Sequence, residues 1–167
     1  MKKLFVLVAV LAMVAALVVP LAASAETVVV SGTIPPMSLS IVTPSAISFG
    51  QFTLGENVAG STNGEVHFNP GIDTGASWYL NATATYGNMY GDNYVYLTDP
   101  MYIKMILPSI QDTGWGVCPG GVSLNPETAT STYLNLYADQ TIVKADVELS
   151  SAATYTNTIT LSYGINY

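Results

Sequence analysis

The sequence contains no arginine, and its only basic side chains are four lysines. Against them stand 11 acidic residues, for a formal net charge of −7. Nucleic-acid phosphates require clustered basic side chains, so a nucleic-acid partner is excluded. The same shortage argues against electrostatic docking on anionic lipid. Cysteine is also scarce. Cys118 is the sole one, so no disulfide can form within the chain. In the loop-like stretch Gly116–Gly121 it reads either as a small, half-buried residue or as a free thiol open to intermolecular pairing. No positive charge lies near it in sequence to activate the thiol, which favours the first reading.

His67 is the single histidine. One histidine without a matched serine and acid builds no nucleophilic relay. The chain has no Gly-x-Ser-x-Gly elbow and no paired His or Cys motif, so neither catalytic residues nor transition-metal ligands are expected. The acids Asp73, Asp92, Asp99, Asp112, Asp139 and Asp146 are scattered. Calcium could find oxygen ligands near Asp92-Asn93 or at Asp99, but no EF-hand-like spacing supports it, and no cofactor is expected. Carboxylates paired for glycoside hydrolysis could come together only through folding, which leaves a secreted hydrolase as the third reading.

The one long apolar run is at the start. Met1-Lys2-Lys3 precedes an apolar stretch from Leu4 to Val19, and Ala23-Ser24-Ala25 follows. This is the build of a secretory signal peptide spanning 1–25, with cleavage before Glu26. A retained anchor is the alternative, but the run is slightly short for a span. Cleavage removes Lys2 and Lys3, so the formal charge falls by two, from −7 to −9.

What remains, 26–167, reads as one domain with a real core. Its closing stretch alternates cleanly. Tyr155, Asn157, Ile159, Leu161 and Tyr163 point one way, and Thr156, Thr158, Thr160 and Ser162 the other, as on a strand with one buried face. Ser77–Thr85 alternates likewise, with Trp78, Leu80, Ala82 and Ala84 on one side. Further strands are expected over Glu26–Ile34, Met37–Thr43, Ile47–Leu54 with a bulge or tight bend at Gly50-Gln51, and Glu65–Phe68. Others are expected over Tyr94–Leu97, Met101–Leu107, Ser131–Tyr137 and Thr141–Leu149. Gly55–Asn57 reads as a turn, Tyr86–Asn93 as an exposed loop and Pro108–Gly121 as a long connector. No segment beyond the leader has helical periodicity. Strands at this spacing, with Gly, Pro and Asn turns, predict an all-β fold, an Ig-like or jelly-roll-type antiparallel sandwich. Trp78, Leu80, Phe49, Phe52, Ile159 and Leu161 are the expected core.

Tyrosine is abundant, 11 in the chain. Tyr79, Tyr86, Tyr90, Tyr94 and Tyr96, together with Trp115, form a candidate contact surface for sugars or protein partners; strands also favour tyrosine for its own sake. Asn81-Ala82-Thr83 is a glycosylation sequon that places a candidate glycan on Asn81.

Ser77-Trp78-Tyr79-Leu80-Asn81-Ala82-Thr83 resembles the first Trp-x-Leu motif of the WxL-domain surface proteins of Gram-positive bacteria. Leu39–Val42 followed by Ile47–Gly50 resembles that family's strand ending in Phe-Gly, and Tyr155–Leu161 resembles its final strand. In the second motif Leu161 stands where tryptophan is expected and Tyr163 where leucine is expected. The resemblance implies a secreted, surface-associated β-sandwich.

The resulting expectation is a non-enzymatic, secreted cell-surface or extracellular-matrix protein with a structural or adhesive role. Its partners would be cell-wall polysaccharide or other surface proteins, with no membrane contact after cleavage. The alternative is a carbohydrate-binding module. Thr27-Val28-Val29-Val30, set apart by Pro35-Pro36, has high β-propensity and would be a hazard unless paired. It serves either its own sheet or, by strand addition, the next copy.

Overall fold

The computed structural model describes residues 30–73, 75–92, 95–126, 131–149 and 154–166. Contacts divide the chain into two units, 1–33 and 34–167. In the first, Val30–Thr33 are exposed and lie outside any strand; the rest of that unit, with the expected signal peptide and Thr27–Val29, lies outside the described residues.

The second unit is an antiparallel β-sandwich. Its strands are β1 (Ser38–Val42), β2 (Gly55–Asn69), β3 (Ser77–Ala84), β4 (Met101–Leu107), β5 (Gln111–Asp112), β6 (Gly116–Val117), β7 (Val122–Leu124), β8 (Thr132–Ile142) and β9 (Ile159–Asn166). Among the described residues one short α-helix, α1 (Lys144–Leu149), interrupts them. The larger sheet runs β1-β2-β8-β4-β5, with β6 also on β4; the smaller runs β7-β3-β9.

The period of two explains how the layers meet. On β3 the row Trp78, Leu80, Ala82 and Ala84 is buried, and alternate residues lie on the other face. On β4 the inward row is Met101, Ile103, Met105 and Leu107, and on β8 it includes Leu134, Leu136 and Ala138. These rows belong to one cluster. Each fully buried large aliphatic side chain contributes about 1.5–3 kcal/mol relative to exposure. β3 is the centre of its sheet, paired with β7 through Leu80↔Leu124 and with β9 through Ala82↔Leu161.

Several expectations change. Gly55–Asn57 is no turn but the start of β2, a 15-residue strand. Its polar, glycine-containing first half lacks an apolar alternation, yet it pairs with β8 from Gly55↔Ile142 onward. Ser131–Tyr137 likewise extends to Ile142 as one strand. Lys144–Leu149 is helical, not extended. The reason is local: Asp146, in the first turn, accepts a hydrogen bond on Oδ2 from the Val143 N–H at 2.9 Å. That is the reach-back half of a capping box, and it satisfies a backbone donor at the helix start. Ile47–Leu54 is not a strand. Gly50 there has φ 66, a left-handed conformation that fits the tight bend of the two alternatives and not a bulge in a ladder. The strand expected at Tyr94–Leu97 is reduced to an isolated bridge at Tyr96, with Tyr94 outside the described residues. The connector Pro108–Gly121 contains the short β5 and β6.

The final strand begins at Ile159, not Tyr155. Its alternation holds through Ser162 and then fails, with Tyr163 exposed and Gly164 half-buried. Gly164 sits opposite Tyr79. A Cβ built there would lie 2.6 Å from the Tyr79 hydroxyl oxygen and 2.8 Å from ring carbons, so only glycine leaves room for that ring.

Candidate functional site

Among the described strands, sheet order leaves one side of the sandwich open. β1 is an edge of the larger sheet and β9 an edge of the smaller. At one end the two edges approach: Met37, Ser38 and Leu39 line a shallow recess with Tyr163, Gly164 and Ile165. Further along they part. There the chain from Thr43 to Leu54 forms one wall of a cavity of about 880 Å³, and Thr154–Ile159 with Leu161 form the other. The floor includes Met89, Leu97, Met101, Leu136, Ala138 and Ile142, all from the core cluster.

This geometry corrects the expected core. Trp78 and Leu80 are fully buried, at 1% and 0% exposure. Phe49, Phe52, Ile159 and Leu161 are only half-buried, because they are the walls of the groove and pack on the core from its rim. The rings of Phe49 and Phe52 lie 5.1 Å apart, tilted. The wall they belong to is held at its ends by polar side chains. Asn63 Oδ1 accepts from the Ser45 N–H at 2.8 Å. Asn57 accepts from the Thr53 N–H and donates to the Thr53 and Gly55 carbonyls. Between those anchors the segment makes no ladder, so its apolar side chains face the groove without strand partners.

The opposite wall is fixed by Asn157 and Thr156. The Asn157 side chain accepts from the Tyr86 N–H at 3.3 Å and donates to the Tyr86 carbonyl at 2.9 Å. Tyr90 and Thr156 exchange backbone hydrogen bonds at 3.0 and 2.8 Å. These bonds tie the loop Tyr86–Leu97 to the groove wall. The sequence marks Asn157 only as one residue of an alternating face; the sole signal of its loop-tying role is an amide inside a run otherwise made of threonines and apolar residues.

The aromatic candidates do not form one surface. Tyr86, Tyr90 and Tyr96 cluster, with centroids 4.7–6.2 Å apart and the Tyr86–Tyr90 pair edge-to-face. Tyr86 and Tyr96 remain exposed, so the cluster is partly open to solvent. The Tyr86–Asn93 stretch is less open than expected, since Met89 and Gly91 within it are buried. Tyr79 is elsewhere, against Gly164. Trp115 is exposed beside Lys104, whose Nζ lies 5.8 Å from the ring centroid. Tyr94 lies outside the described residues. Asn81 is half-buried on the face opposite Trp78, with Ser123 and Ser162 as cross-strand neighbours.

The reactive-residue candidates stay apart. His67 is exposed on β2, hydrogen-bonded to Glu65 at 3.0 Å and Ser131 at 3.2 Å. Cys118 is buried, more so than expected, and burial pushes its thiol up to about 11, an unreactive state. Asp112 is held below the usual carboxylate range by the Gly114 N–H and by Lys104, 2.9 Å away. Asp139 is raised, first by burial and then by the nearby Glu56 carboxylate. Among the described residues no group of His, Cys, Asp and Glu is placed to hold a metal. Asp92 is exposed and Asn93 lies outside the described residues. Among the described residues no helix is long and apolar enough to cross a membrane.

No protein-family model matches the sequence, and no curated protein matches it. Among solved structures the fold is similar to a chain of a chaperone–tip adhesin complex of CFA/I fimbriae biogenesis, at 11% identity and a TM-score of 0.47. The likeness covers 78% of this chain and 42% of that one, so this chain spans less than half the length of its neighbour.

Proposed function

We propose that this chain is a non-enzymatic structural or adhesive component of the cell surface or extracellular matrix, exported by its leader and assembled by β-strand addition. The observation that carries this reading is the open side of the sandwich. β9 pairs only with β3 among the described strands, so its outer backbone groups are a template for another strand. Beside that edge lies the groove, whose floor is core side chains. An extended segment entering it gains main-chain hydrogen bonds from the edge and pockets for alternate side chains from the floor. The Trp-x-Leu motif supports placement at a cell surface, as in WxL-domain proteins, with Trp78 and Leu80 supplying core. The test is concentration-dependent association of the chain from Glu26 onward, followed by light scattering and electron microscopy. Growth of open-ended assemblies supports the reading; a protein that stays monomeric at every concentration ends it.

A second reading is a carbohydrate-binding module, favoured by the exposure of Tyr86 and Tyr96 within one aromatic cluster. A glycan array separates the two: polysaccharide binding by the monomer, lost in Tyr86→Ala/Tyr96→Ala, supports the module.

A further inference from the structure

We infer that the groove between Thr43–Leu54 and Thr154–Leu161 is the seat of residues 26–34 of a second copy of this chain. The inference rests on the strand-addition reading above and names its site and its occupant.

The first argument is the pattern of the segment. In sequence Val28, Val30, Gly32 and Ile34 alternate with Thr27, Val29, Ser31 and Thr33. A strand of this sequence turns one mainly apolar face to a core and a mostly hydroxyl-bearing face to solvent. Val30 and Ile34, the described large residues of the apolar face, are 90% and 73% exposed. The segment thus carries large apolar side chains that are exposed at these positions.

The second argument is fit. An extended Glu26–Ile34 run spans ~30 Å at about 3.3 Å per residue. It has about as many residues as the Thr154–Leu161 wall that it would line. The groove offers alternating apolar contacts on that wall through Tyr155, Ile159 and Leu161, and Phe49 and Phe52 opposite. The apolar side chains of the segment and the apolar lining of the groove are complementary in chemistry.

The third argument is direction. The chain enters the sandwich at Pro35–Met37, which lie against Gly71 and the Tyr163–Ile165 end of β9. The groove is at the other end, beyond Val42 on the first edge and at Thr154–Leu161, which includes the start of β9, on the second. The point from which the segment departs and the site that it fits are therefore at opposite ends of the open side. A contact between such ends is head-to-tail, so it passes from copy to copy and builds a filament where the rotation between copies does not close a ring.

The experiment uses two full-length mature variants. Val28→Asp/Val30→Asp places carboxylates on the inserting face and leaves the groove intact. Leu161→Asp spoils the groove and leaves the segment intact. Each variant alone should elute as a monomer where the parent polymerises, and an equimolar mixture should give a one-to-one dimer and nothing larger. If Leu161→Asp fails to fold by circular dichroism, the segment variant still decides. A synthetic Glu26–Ile34 peptide should raise its Tm, and the same peptide carrying the two aspartates should not. A segment variant that polymerises like the parent overturns this inference while leaving assembly itself standing. A parent that never associates overturns both the inference and the reading it rests on. A monomeric parent whose Tm falls with Val28→Asp/Val30→Asp shows that the segment serves its own sandwich.

Discussion

The carboxylate of Asp146 accepts two hydrogen bonds from Thr98, from its N–H at 2.8 Å and its Oγ1 at 2.7 Å, across 48 residues of sequence. Its second oxygen takes the Val143 N–H. Asp146 is 3% exposed, so it fastens α1 to the loop before β4 beside the groove floor. Asp146→Ala should cost on the order of 3 kcal/mol, because three part-buried donors lose a buried charged acceptor. Thr98→Ala, which keeps the backbone donor, should cost about 1 kcal/mol. Urea denaturation checks both.

Trp78 sits at the centre of the core with its indole Nε1 lacking a hydrogen-bond partner. Trp78→Ala should destabilise by about 3–5 kcal/mol through the cavity left behind. Trp78→Phe should cost clearly less, since it keeps an aromatic ring and forfeits no hydrogen bond. A Phe variant as damaging as Ala in chemical denaturation would show that the indole nitrogen is held after all.

Gly164 and Tyr79 form a cross-strand pair in which the glycine makes room for the ring. Gly164→Val should destabilise by roughly 1–3 kcal/mol, the usual cost of overpacking. Tyr79→Ala in the same chain should return part of that loss. A double-mutant cycle measures the coupling, and strict additivity would contradict the packing described.

Asp139 is the acid whose burial works against it. Its neighbours across the ladder are Val58 and Tyr102, and its Oδ1 has no hydrogen-bond partner. Burial, followed by repulsion from Glu56, raises its pKa in the folded state. The folded protein therefore holds this proton more tightly than the unfolded chain does. The charged form costs stability above the raised folded pKa. That cost is relieved as pH falls from there toward the ordinary carboxylate value. Asp139→Asn should raise Tm at neutral pH and leave it nearly unchanged once the pH lies below both values. Thermal melts across pH 3 to 8, at intervals of about one unit, test the sign.

The sequence by itself determined the strands whose period of two was written in full. Ser77–Ala84, Met101–Leu107 and Ser38–Val42 were legible because one face of each is apolar and the other polar. It also determined the antiparallel class of the fold, the exposed setting of His67 and the absence of any disulfide within the chain. It did not reveal the first half of β2, where polar residues and glycines carry no alternation and only pairing with β8 makes a strand. Nor did it reveal α1, which rests on one aspartate bonded to Val143 and to Thr98 far away in sequence. Phe49, Phe52, Ile159 and Leu161 show the same division. Their apolar character marks them for burial, but only the order of strands decides how much. With β1 and β9 at the edges of separate sheets, these four side chains became the walls of an open groove instead of the middle of a core. Hydrophobicity is a property of each residue. Which surfaces remain uncovered depends on how distant strands pair, and tertiary structure alone supplies that.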